Sequence, residues 1–214
     1  MKNPLMKRLP RELKSEVGKY LVIFIFMVIV IGFVSGFMVA SGSLLKIYNE
    51  SFEKYNIEDG NFELYAEADD TAHEAIENDG KIRIYENFYI ERETKEVDST
   101  LRIYKNREEI DKVCLMKGAL PTGKKEIAID RMYAENNSLD VGDVLTVGDK
   151  ELTISGFVAL SDYSALYASP SDMMFDAIKF GVAVMTEEGF NAMDKIGFHY
   201  NYSWKRCATK RCGW

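Results

Sequence analysis

Between positions 20 and 45 the chain carries no charged residue. Positions 21–40 are almost entirely Leu, Val, Ile, Phe, Met and Gly. Twenty residues of helix rise about 30 Å, which is the thickness of bilayer hydrocarbon. A helix satisfies its own backbone polar groups, so the branched and aromatic side chains are no obstacle in lipid. The run predicts a transmembrane helix over residues 20–45. The competing reading is a cleaved signal peptide, with Met38-Val39-Ala40-Ser41 as a weak cleavage site. Signal cores span roughly 7–15 apolar residues, and this run is longer, so an anchor is expected.

Charge sets the orientation. Lys2, Lys7, Arg8, Arg11, Lys14 and Lys19 precede the run, against Glu12 and Glu16. Loops rich in Lys and Arg stay on the cytoplasmic side, so residues 1–19 are read as a cytoplasmic lead-in. Everything from position 46 onward is then outside, in the plasma membrane of the cell. The whole chain has a net charge of −7, so the outer part is strongly acidic. Such a domain repels phosphate and is a poor partner for nucleic acid. The partner the run itself demands is the lipid bilayer. Gly32 and Gly36, one turn apart, would let a second helix approach closely. Within the lead-in, residues 10–19 are amphipathic and suit the inner membrane surface.

The outer segment mixes short strands and helices with no regular βαβ period, so its class is α+β. Residues 61–68 alternate and read as a strand. Thr71 to Glu74 has capping-box spacing for a short helix that Gly80 would end. Residues 81–91, 100–104, 125–130 and 181–185 read as strands, with Ile127 and Ile129 on one face. Residues 131–139 read as a short helix. Gly148-Asp149 between residues 144–147 and 152–154 is a tight-hairpin signature, since glycine supplies the positive φ of such turns. Thr186 is a plausible N-cap for a helix that Gly197 would stop.

No residue set assembles a nucleophile, a base and an orienting group, so no catalytic residue, cofactor site or metal site is assigned and the chain is read as a non-enzyme. Gly118-Ala119-Leu120-Pro121-Thr122-Gly123-Lys124-Lys125 nearly matches a phosphate-binding loop. Lys125 stands where such a loop needs Ser or Thr, and an alternating strand follows where a helix should open, so it reads as a turn. His73 and His199 have no neighbour at metal-ligand spacing. The acid pairs Glu58-Asp59 and Asp69-Asp70 lack a calcium-loop pattern and read as solvated surface. Asn49-Glu50-Ser51, Asn136-Asn137-Ser138 and Asn201-Tyr202-Ser203 match the glycosylation triplet by pattern. Residues 160–167 form an aromatic loop, facing either a partner or the domain. Cys114, Cys207 and Cys212 are too few for a disulfide framework, although Cys207 and Cys212 would be free to pair if oxidised.

A basic lead-in, one membrane helix and an outer α+β domain resemble the start of an FtsX-like (MacB-type) ABC transporter permease. The resemblance rests on the run from Lys117-Gly118-Ala119-Leu120-Pro121 through Glu126-Ile127-Ala128-Ile129-Asp130 to Leu139-Asp140-Val141-Gly142-Asp143, with a hairpin closing in a Gly such as Gly156. Asp162-Tyr163-Ser164 and Asp172-Met173-Met174-Phe175-Asp176 are similar to permeases of this group. Together these cover roughly residues 10–204. The resemblance implies an extracytoplasmic core domain of the MacB-like periplasmic type over residues 46–204. It implies a cytoplasmic ABC ATPase subunit as partner, with other permease helices or a second permease copy in the membrane. It also implies further membrane helices, and the atypical basic, Cys-containing tail at 205–214 reads as the mark of a truncated or frameshifted product. The rival function is a single-pass membrane receptor or interaction protein with an extracytoplasmic binding domain.

Overall fold

A computed structural model describes residues 14–163, 165–169 and 171–206. It divides into two compact units, residues 1–50 and 51–214. The first is dominated by helix α1, Val17–Lys54, which is 38 residues long. At 1.5 Å per residue that is about 57 Å, well beyond the roughly 30 Å of bilayer hydrocarbon. None of its residues is buried, and Phe24, Phe37 and Val39 are 65%, 69% and 70% exposed. The apolar run at 20–45 is thus the middle of a longer helix. Residues 46–54, read as the start of the outer domain, continue it, because Lys46, Glu50 and Lys54 are good helix formers in water too. Space around Gly32 and Gly36 is open. Of the amphipathic stretch at 10–19, residues 10–13 lie outside the described residues, and Val17 onward belongs to α1.

The second unit holds β1 (Gly60–Leu64), α2 (Asp70–Gly80), β2 (Ile82–Glu86), β3 (Tyr89–Thr94), β4 (Ser99–Lys105), β5 (Val113–Gly118) and β6 (Glu126–Asp130). After these come α3 (Arg131–Asn136), β7 (Val144–Val147), β8 (Lys150–Leu160), β9 (Phe180–Met185), α4 (Glu187–Asn191) and β10 (Phe198–Arg206). It is a mixed α+β domain, as the sequence predicts. The ladder runs β3-β4-β9-β6-β8, with β4–β9 and β6–β8 parallel. Strand β7 pairs with β8 and, through Thr94 opposite Val147, with β3. The ladder therefore returns to its start and forms a small six-stranded barrel, which leaves no free edge around that circuit. Its interior is filled by Ile90, Leu101, Ile103, Ile127, Ile129 and Ala183, which share one face by register and are buried, while Val182 and Val184 are buried on the outer face. Ala128 is buried as well, so β6 is covered on both faces and the one-faced alternation expected there is not what the fold uses. A strand inside a barrel wall covered by helices has no wet side.

Strand β10 joins this barrel to a second, smaller layer. Phe198 and His199 pair with β3, while residues 200–206 run between β1 and β2. One face of that ribbon carries an aromatic core in which Phe88 meets Phe198, Tyr200 and Tyr202 edge-on at 5.7, 5.3 and 5.2 Å. Such edge-to-face pairs match the ring quadrupoles. Ile76 of α2 packs on the same cluster.

Several local expectations shift. The cap of α2 is Asp69, whose side chain accepts from Ala72 N–H, and the helix includes Gly80 and ends at Lys81 in the left-handed region. The strand read across 81–91 is two strands broken at Asn87-Phe88, because β2 and β3 pair with different parts of β10. Thr186 does cap α4, but the helix ends at Ala192, and Gly197 sits in the following turn at φ +62°. The Gly148-Asp149 hairpin forms as read, with Gly148 at φ +64° and Val147 paired to Lys150. Lys205 and Arg206, read as the start of an atypical tail, pair with Arg83 and Ile82 and belong to β10. Cys207 and Cys212 lie outside the described residues.

Candidate functional site

The barrel and the β1–β10 ribbon meet at a polar seam. On the ribbon, Glu63 stands opposite Asn201 and Asn61 opposite Ser203. Side chains alternate across a strand, so these polar residues share the face turned away from the Phe62, Tyr200 and Tyr202 core. Against that face β3, β4 and the loop after β8 bring a row of tyrosines and arginines.

Arg102 projects from β4. Its Nε and Nη2 donate to Glu91 Oε1 at 3.0 and 2.6 Å, its Nη1 to Tyr163 Oη at 2.8 Å, and its Nη2 to the Ala168 carbonyl at 2.8 Å. The guanidinium lies over the Tyr89 ring at 4.5 Å and the Phe180 ring at 5.0 Å. His199 stacks on Tyr89 at 4.5 Å and meets Glu63 Oε1 through Nδ1 at 2.8 Å. Tyr104 and Tyr163 share a hydrogen bond of 2.7 Å between their hydroxyls. Burial holds both phenols above their ordinary range, so they stay neutral donors. The aromatic loop thus packs on the domain through Tyr163 and the buried Leu166, while Tyr167 is 39% exposed. Between ribbon and tyrosines lies an open cleft of about 590 Å³, lined by Asn61, Glu63, Asn87, Arg102, Tyr163 and Asn201 among others.

Beneath the cleft sits a buried charge cluster. Arg107 binds Asp162 with two parallel bonds, Nη1 to Oδ2 at 2.8 Å and Nη2 to Oδ1 at 3.0 Å. The same Nη1 is 3.9 Å from Asp111 Oδ2. The side chains of Arg107, Asp162 and Asp111 are 6%, 11% and 0% exposed. Ser203 Oγ donates to Asp111 Oδ2 at 3.2 Å, and Asn87 Nδ2 donates to Ser203 Oγ at 3.0 Å. Asn87 Oδ1, Arg107 Nε and Glu58 Oε2 are buried without a hydrogen-bond partner. Burial, joined by the charge of Asp162, pushes the Asp111 carboxyl up to about 7, against the Glu58 N–H and Arg107.

The residues singled out in the sequence mostly have structural work. In the turn at 118–125, the N–H groups of Thr122 and Gly123 donate to Glu126 Oε2 at 2.7 and 3.0 Å, and β6 follows. The amides a phosphate would need are taken by the chain's own carboxylate. Asp69 caps α2, and Asp59 Oδ2 accepts from Arg206 N–H at 2.8 Å. Of the pattern-matched Asn triplets, Asn201-Tyr202-Ser203 lies in β10 with Tyr202 and Ser203 buried, so it is not an accessible acceptor loop. Among the described residues no group of three metal-ligating side chains converges. The sequence reading passed over Arg102, Arg107 and Asp111. The available signal was two arginines in and just after a strand whose other members, Leu101, Ile103 and Tyr104, are buried apolar types.

No family model and no curated protein matches the chain. Among solved structures it is similar to the extracellular domain of the noncanonic ABC-type transporter YknZ from Gram-positive bacteria. The two are 12% identical, 71% of this chain and 86% of that one are covered, and the TM-score is 0.41.

Proposed function

We propose that this chain contributes a membrane helix and an extracytoplasmic α+β domain to an ABC-type permease complex, in which a separate cytoplasmic ATPase supplies the energy. The observation that carries the reading is α1: a continuous helix, uncharged from 20 to 45, whose large apolar side chains are all turned to the outside. Water does not tolerate so long an apolar cylinder, and lipid does. The basic residues before it support a cytoplasmic N-terminus and an outer domain.

Two further features support the permease assignment. The run from Lys117 to Asp143 with Gly156, which carries most of the resemblance to the FtsX-like family, falls on β5-turn-β6-α3-β7-β8. The loop that mimics a nucleotide site is filled by Glu126, which agrees with ATP hydrolysis on a partner. Within the membrane, other permease helices or a second permease copy would cover α1 at Gly32 and Gly36, where a close approach meets no obstacle.

The test is fractionation of expressing cells, then protease treatment of intact cells or spheroplasts, then affinity purification in mild detergent. Expected are a membrane-bound chain, removal of the domain by external protease, and co-purification of an ABC ATPase subunit. A chain found in the soluble fraction would end the membrane reading. A membrane chain that never retains an ATPase, yet binds a ligand as the purified full chain, would favour a receptor instead.

A further inference from the structure

Residues 55–59 carry the chain from α1 into the domain; beside two local bonds, Tyr55 N–H to the Ser51 carbonyl and Ile57 N–H to the Phe52 carbonyl, they are held mostly by groups distant in sequence. Lys112 N–H donates to the Tyr55 carbonyl at 2.9 Å and Asp111 N–H to the Asn56 carbonyl at 3.2 Å. Asn56 Nδ2 donates to the Glu109 carbonyl at 2.7 Å. Lys205 Nζ reaches Asn56 Oδ1 and the Ile57 carbonyl, each at 2.8 Å. Glu58 N–H donates to Asp111 Oδ1 at 2.8 Å. Both Asn56 and Asp111 sit at positive φ, +49° and +47°, which their short polar side chains tolerate.

Among the described residues, Asp111 is the side chain that both binds this stem and faces the buried charge cluster. From its own loop it faces Arg107, from the end of β8 Asp162, from the stem Glu58, and from β10 the hydroxyl of Ser203. Lys205, also on β10, is spent on the stem's oxygens. Arg107 is spent on Asp162 through both of its terminal nitrogens. One buried guanidinium therefore answers two buried carboxyl groups, with the half-buried Glu58 adding its charge beside Asp111, and the charge it lacks has to come from a proton or from water.

We infer that Asp111 is a proton-binding latch: its neutral carboxyl clasps the 55–59 stem to the domain, and its ionisation loosens that clasp. In the neutral form Oδ1 still accepts from Glu58 N–H, while the acid proton on Oδ2 points to Ser203 Oγ, 3.2 Å away. Ser203 then turns its own proton toward Asn87, whose orphaned Oδ1 accepts it once the amide is rotated about its last bond. The proton comes from hydronium, which leaves as water. In the ionised form a dry carboxylate faces Asp162 and Glu58, and admitting water relieves it at the expense of the clasp. The raised Asp111 pKa, from an ordinary 3.8 to about 7, has this same sense. The inference stands on the domain alone and survives even if the permease reading fails.

The experiment is amide hydrogen exchange on the full chain in detergent micelles from pH 5 to pH 8, corrected for intrinsic rates. If opening restores an ordinary carboxyl, the opening constant of the Glu58 amide rises by up to about a hundredfold over that range, and at least ~10-fold is expected. The variant D111N keeps an acceptor for Glu58 and a donor for Ser203, and Asn tolerates positive φ. It should stay protected at pH 8 and show a flat profile. A flat wild-type profile, or a D111N profile that still rises, overturns the inference. Should D111N not fold, the carboxyl carbon shift of Asp111 in the wild-type protein decides: a midpoint below pH 5 refutes the latch, and one near neutrality supports it.

Discussion

Replacing Arg107 by methionine isolates the energetics of the seam. Methionine keeps an unbranched apolar stem against the Tyr104 ring, which lies 4.6 Å from the guanidinium. It removes the two bonds to Asp162 and the cation that lies 3.9 Å from Asp111. Taking one partner from a buried ion pair typically costs about 3–5 kcal/mol, because the other charge is left dry and unanswered. Against a typical total of roughly 5–15 kcal/mol, that is enough to unfold part of the population at rest. The pH dependence separates this cause from simple loss of packing. An acid whose folded pKa is raised binds its proton more tightly in the folded state. Its penalty is therefore complete above the folded pKa and fades as pH falls toward the ordinary value. Asp111 already behaves so in the wild type, with a window from about 7 down to 3.8. R107M puts two carboxyl groups face to face with no cation between them, which deepens the penalty at high pH. Urea unfolding of the full chain in detergent, read by near-ultraviolet circular dichroism, should show a loss of about 3–5 kcal/mol at pH 8. By pH 5 the deficit relative to wild type should shrink by about 1–3 kcal/mol, at ~1.4 kcal/mol per pH unit for each extra proton. A loss under about 1 kcal/mol at pH 8, or a deficit that grows on acidification, would refute the reasoning.

Three further substitutions follow from the geometry. In G156A the new methyl group would stand 2.5 Å from the Ala119 carbonyl oxygen and 2.7 Å from that of Lys117, backbone atoms that cannot swing aside; a loss of about 3 kcal/mol in chemical denaturation is expected. In D130A, α3 loses the carboxylate that accepts from the N–H groups of Met132 and Tyr133, and thermal unfolding should report a cost of about 1–2 kcal/mol. E126A frees the turn amides at Thr122 and Gly123 but creates no helix N-terminus behind them, so equilibrium dialysis with labelled ATP should detect no binding to the variant or to the wild type.

Legibility varied with the range of the interactions. The long helix announces itself because absence of charge over 20–45 is a one-dimensional property. The Gly148-Asp149 hairpin, the Thr186 cap and the helix after Asp130 were also readable, since each is settled within about four residues. Strand β5 was not. It is a mostly exposed edge strand with a register shift between Leu115 and Lys117, so it lacks the alternation that marks a half-buried strand. Strand β10 was obscured differently: it changes partner along its length, so its buried residues serve two cores in turn. The seam was invisible for the same reason at larger scale. Asp111 finds Glu58 across 53 residues and Ser203 across 92, and Lys205 finds Asn56 across 149. No spacing rule connects residues that only the finished barrel brings together.

The positions behind the permease resemblance show what such a pattern encodes. Gly118 and Gly156 are paired across β5 and β8, where β8 exchanges β7 for β5 as its neighbour. Gly118 is at φ +75°, and a methyl group there would lie 2.5 Å from the Ser155 carbonyl oxygen. Gly142, also at positive φ, donates its N–H to the Ile154 carbonyl at 2.8 Å and sets the turn into β7. Gly118 and Gly156 mark a backbone crossing too tight for any side chain, Gly142 supplies a positive φ in open space, and the apolar Ile127 and Ile129 between them fill the barrel. None of them touches the cleft or the Arg107 cluster. The ordered motif is therefore a statement about how this wall of the barrel is built, while any selectivity for a cargo or a partner would have to reside in residues outside it, such as Asn61, Asn201, Tyr167 and Asp162 along the seam.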